Sequence, residues 1–130
     1  MKIDKALLVK GIDGYSDAGQ TKKDAYHRAG KKFLRELAKE IGLEKGAFDI
    51  RSNVAGIACS GEVDLHGESI YVQLSESCMH PGLSILYRTC KGREDCCGGR
   101  NRFVSVNDLT NNDRLESFII ECRRMVAGEA

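Results

Sequence analysis

From Thr21 onward, apolar side chains return every three or four positions, at Tyr26, Ala29, Phe33, Leu37 and Ile41. That spacing follows the turn of an α-helix and predicts one amphipathic helix over about Lys22 to Ile41. Thr21 with Asp24 resembles a capping box at its start, and Gly42 is placed to end it in a left-handed turn. Lys23, Lys31, Arg35 and Lys39 are assigned to the opposite, solvent face. Between Ala47 and Val106 the period drops to two, the mark of strands whose side chains alternate between core and solvent. "FDIRS" reads as one strand. In "AGIACSGEVDLH" the apolar positions Ala55, Ile57, Cys59, Val63 and Leu65 oppose Glu62, Asp64 and His66, with Gly61 as a bend or bulge. Residues 63 to 75 form the strongest hairpin, turning at "LHGES" and directing Val63, Leu65, Ile70, Val72 and Leu74 to the core. After a corner at "HPGL", the segments "SILYRTCK" and "RFVSV" read as strands, and Leu115, Phe118, Ile119, Cys122 and Val126 as a second helix behind caps offered by "TNND".

The order of helix, four to five strands and helix predicts a single α+β domain over residues 1–130 with an antiparallel sheet. Double-stranded RNA-binding domains also run helix, strands, helix. Their second helix opens on phosphate-gripping lysines, however, whereas "TNNDRLE" offers Arg114 and two acids, so the comparison stays one of topology.

Composition narrows the class further. The 130 residues are 42% apolar, enough for a core without covalent staples. Lys and Arg (20) nearly cancel Asp and Glu (19), so any basic surface is local. The apolar run "ALLV" is too short for a signal peptide or a membrane span, so a cytoplasmic protein is expected, with no membrane partner. The six cysteines are then expected as free thiols.

Candidate chemistry concentrates in "CKGREDCCGGRNRF", residues 90 to 103. Cys90, Cys96 and Cys97, with Cys78 or His80, supply enough ligands for zinc, but the spacing lacks the paired C-x2-C pattern of structural sites. Neither metal nor cofactor is expected. Arg93 and Arg100 beside Cys96 or Cys97 would favour a thiolate, yet Asp95 opposes them and no base can be placed nearby. Glu62, Asp64 and Glu68 hint at a magnesium-dependent nuclease, but no E-x-K follows. "GIDGYSDAG" lacks the ending of a phosphate-binding loop. What survives is a basic hairpin tip, in which Arg88, Lys91, Arg93, Arg100 and Arg102 outnumber Glu94 and Asp95. Arginine's planar fork suits phosphate or carboxylate, and Gly98 and Gly99 would leave backbone N–H groups open.

The runs "IYVQLSESC" and "ILYRTCKGREDCCGGRNRFV" resemble segments of small uncharacterised proteins of bacteriophages and other bacterial mobile elements. The resemblance spans the central third of the chain and carries over no functional residue. It implies a host-interacting protein, including inhibitors of nucleic-acid-based defence such as CRISPR systems, which act by occlusion. The expectation is therefore a non-enzymatic binding protein whose basic tip engages a host protein that handles nucleic acid. A direct nucleic-acid-binding module is the first alternative, and a small zinc-stabilised or cysteine-dependent enzyme the second.

Overall fold

In the computed structural model, which describes residues 1–8, 12, 15–56, 59–76, 84–95 and 98–128, the first apolar repeat forms α1, Asp17–Glu40. The helix begins earlier than its periodicity predicts, because Ser16 is the cap: its Oγ accepts from the Gly19 N–H at 3.0 Å. Thr21 lies inside the helix and returns its hydroxyl to Asp17 O, while Asp24 accepts from Gln20, so the expected capping box at Thr21 is not formed. The C-terminus closes as anticipated. Gly42 sits at φ +80°, with Leu43 N–H donating to Ala38 O and Gly42 N–H to Lys39 O, a Schellman pairing.

The strands are β1 (Phe48–Asn53), β2 (Glu62–Gly67), β3 (Ile70–Leu74), β4 (Ile85–Thr89) and β5 (Arg102–Val104). They make a five-stranded antiparallel meander in chain order. The strand expected through residues 55 to 66 starts only at Glu62. Gly61 has φ +72°, and a side chain there would strike the carbonyl oxygen of Asn53, so the chain turns a tight corner before pairing. Of the other expected features, Ile57 and the "HPGL" corner lie outside the described residues. The second helix, α2 (Asn112–Val126), is capped by Asn111, whose Oδ1 accepts from Asp113 and Arg114 N–H groups.

Register fixes the two faces. Ile50, Leu65, Val72, Tyr87 and Arg102 align across the sheet, as do Ser52, Val63, Leu74, Ile85 and Val104. On this face α1 covers β1 and β2, while α2 lies over β3 and β4. Val63, Leu65, Ile70, Val72 and Leu74 are fully buried there with Phe33 and Leu37, as the sequence predicts. Each such side chain contributes about 1.5 to 3 kcal/mol through burial. Met125 joins Leu115, Phe118, Ile119 and Cys122 inside, leaving Val126 only half-buried. Among the described residues, no helix covers the opposite face. Asp49, His66, Tyr71 and Arg88 form one row across it, and Arg51, Asp64, Gln73, Leu86 and Phe103 the next.

Candidate functional site

The predicted basic tip does connect β4 to β5, but it folds back as a strap over the helix-free face. Arg88 is a correction to the expected contact set: it is 4% exposed and holds the strap from beneath. Its Nη1 donates to Gly98 O at 2.6 Å and its Nη2 to Asp95 O at 3.3 Å, while its guanidinium lies 4.5 Å from the centre of the Tyr71 ring. Arg93 is also turned inward. It makes a two-point contact with the Asp49 carboxylate at 2.8 and 3.2 Å and donates to Gly46 O, which holds the Asp49 carboxyl below its ordinary pKa. Arg102 points to the helix side, where Glu121 accepts from it at 2.7 Å and from the Tyr87 hydroxyl at 2.9 Å. Lys91 and Arg100 remain exposed. Gly99 serves close packing rather than anion capture: at φ +76° its α-carbon lies against Thr89, leaving no room for a side chain.

His66, expected at a solvated turn, is 1% exposed. Its Nε2–H donates to Gly92 O of the strap at 3.0 Å, so its Nδ1 accepts from Arg51 Nη1 at 3.3 Å. Burial and the adjacent arginines lower its pKa, which keeps this neutral tautomer. Beside it Asp64 has a buried Oδ1 with no partner among the described residues. Burial, then the charge of Glu62, raise the Asp64 pKa to about 7.

The side of α1 turned away from the sheet carries a different set of cations. At 100° per residue, Arg28, Lys31, Lys32, Arg35 and Lys39 fall within a sector of about 100° and span about 16 Å of helix. Arg28, Lys32, Arg35 and Lys39 are exposed and Lys31 is half-exposed. Among the described residues none of these has an ion-pair or hydrogen-bond partner. Lys23, assigned by sequence to this face, is instead 3% exposed and donates Nζ to Gly56 O at 2.8 Å. Sequence reasoning missed Arg28 and Lys32, although helical angles read directly from the chain place them in the stripe and exclude Lys23.

Of the zinc candidates only Cys90 is described; Cys78, His80, Cys96 and Cys97 lie outside the described residues. Cys90 Sγ donates to Gly67 O, and burial pushes its thiol pKa up, away from a reactive thiolate. Among the described residues, no group of three or more His, Cys, Asp or Glu side chains stands ready to hold a metal ion. Nor is any described helix long and apolar enough to cross a membrane. No protein-family model matches the chain, and comparison with curated proteins and with solved structures likewise finds no match.

Proposed function

We propose that the chain is a binding protein whose α1 stripe docks on the phosphate backbone of a nucleic acid. The supporting observation is that Arg28, Lys31, Lys32, Arg35 and Lys39 share one outward sector without partners among the described residues, whereas Arg88, Arg93 and Arg102 of the tip are engaged within the fold. Five cations along about 16 Å match a row of phosphates and need no base contact, so such binding is insensitive to base sequence. Occlusion of the covered strand is the expected mode of action.

A second reading keeps the same occluding role but takes a host protein that handles nucleic acid as partner. It is favoured by Phe103, 46% exposed on the helix-free face beside half-buried Leu86.

Titration of a labelled duplex separates the two. Direct phosphate binding should weaken with a log–log salt slope of about −4.5 and be abolished by reversing Lys31, Lys32, Arg35 and Lys39 to Glu. Unaltered duplex binding after that reversal would overturn the first reading. Capture of a protein from nuclease-treated lysate, lost in Phe103→Asp, would support the second.

A further inference from the structure

Away from both surfaces, Ser52 on β1 and His27 on α1 form a hydrogen-bonded pair. His27 is 5% exposed, and both ring nitrogens are engaged: Nε2 lies 2.7 Å from Ser60 O and Nδ1 lies 2.7 Å from Ser52 Oγ. A carbonyl oxygen only accepts, so Nε2 carries the ring proton. In the neutral ring Nδ1 is then a bare lone pair, and the Ser52 hydroxyl must donate to it. The ring is thereby poised to take the serine proton. Its nitrogens exchange the roles they have in Ser-His-Asp sets, and a carbonyl stands where the carboxylate would be.

The surroundings hold this geometry. The orienting carbonyl is itself anchored, because Ser60 Oγ donates to Glu76 O at 2.8 Å and accepts from Glu76 N–H at 3.2 Å. Lys23, one turn before His27 on α1, grips Gly56 O at 2.8 Å. Ala55 takes φ +52°, a left-handed conformation costly for a residue with a side chain, and is fixed there by Asn53 Oδ1 accepting from its N–H at 2.9 Å. Backbone strain of this kind collects at functional sites. Ser52 itself is exposed while its histidine is buried, the arrangement in which a nucleophile meets reagent and its base stays oriented.

We propose that Ser52 is a nucleophile with His27 as its general base, and that the pair transfers acyl groups from activated esters. Ser52 Oγ forms a bond to the ester carbonyl carbon as its proton passes to His27 Nδ1. The bond to the leaving oxygen breaks, and that oxygen takes the proton from Nδ1. Water then attacks the acyl-serine by the same route, so ester and water give acid and alcohol, and Ser52 is regenerated. The doubly protonated ring formed midway keeps its Nε2–H on Ser60 O.

The test uses the full chain with p-nitrophenyl acetate, mapping acetyl groups by mass spectrometry. Acetyl should appear on Ser52 at least about 100-fold faster in the folded chain than in the same chain in urea, the scale of general-base assistance. His27→Gln should remove most of that advantage at unchanged circular dichroism, and Ser52→Ala should remove the label from this site. No acetyl on Ser52 together with p-nitrophenol released no faster than by Ser52→Ala, or a folded-to-unfolded ratio short of that scale, overturns the proposal. The folded-against-unfolded comparison needs no variant, so it decides the matter even if His27→Gln loses its fold.

Discussion

The strap over the helix-free face and the outer side of α1 are both rich in cations, and they use them in opposite ways. In the strap and its flanking strands, Arg88, Arg93 and Arg102 each meet carbonyl or carboxylate oxygens and help fix the backbone. On α1, Arg28, Lys31, Lys32, Arg35 and Lys39 are held by a helix that is already stable through its buried side and have no ion-pair or hydrogen-bond partner among the described residues. The two regions also sit on opposite sides of the sheet, so they do not form one basic surface. A dense run of arginine in sequence is therefore no measure of a binding face; the measure is whether the fold supplies the counter-charges.

Substitutions can test that contrast. The largest effect should come from the buried side of α1: Phe33→Ala, at a position 3% exposed, should cost about 3 to 5 kcal/mol in chemical denaturation. If the cost were near zero, the helix would not be the independent platform described. Next, Arg88→Met should cost about 2 to 3 kcal/mol, since it strands the carbonyls of Asp95 and Gly98 under the strap. A neutral result would mean that the strap is not clamped.

The helix-free face should also show itself in pH dependence. Asp64 has its pKa raised from 3.8 to about 7, so the folded chain holds this proton more tightly than the unfolded chain. Its contribution is full below the lower value and is lost progressively as pH rises to the upper one. Asp64→Asn should flatten the stability profile in that window, as read by urea midpoints at several pH values. Smallest of all, reversing Lys91 and Arg100, or the α1 stripe, should move stability by no more than about 0.5 kcal/mol per residue. Only the stripe reversal should change polyanion binding.

Most of the fold was legible because its signals are local. The alternation in residues 63 to 75 set both the register and the buried side, and the repeat from Tyr26 to Ile41 set the inward face of α1. The site was less legible. Arg88 and His66 fall on the polar side of their strands, which normally means solvent, and only the return of the strap buries them. The partner of Arg93 is Asp49, on the far edge strand, and no periodicity reports such a pairing. Ser52 and His27 likewise come from separate elements and meet only when α1 lies across β1.

Because the strands join in the order in which they are made, nearly all of the sheet can assemble by successive zipping of neighbours, a low-contact-order route that favours fast refolding. The Arg93–Asp49 contact, linking positions 44 apart, is an exception that must wait for the meander to be nearly complete. Loosening it should therefore accelerate unfolding far more than it slows folding, leaving the folding limb of the chevron almost in place.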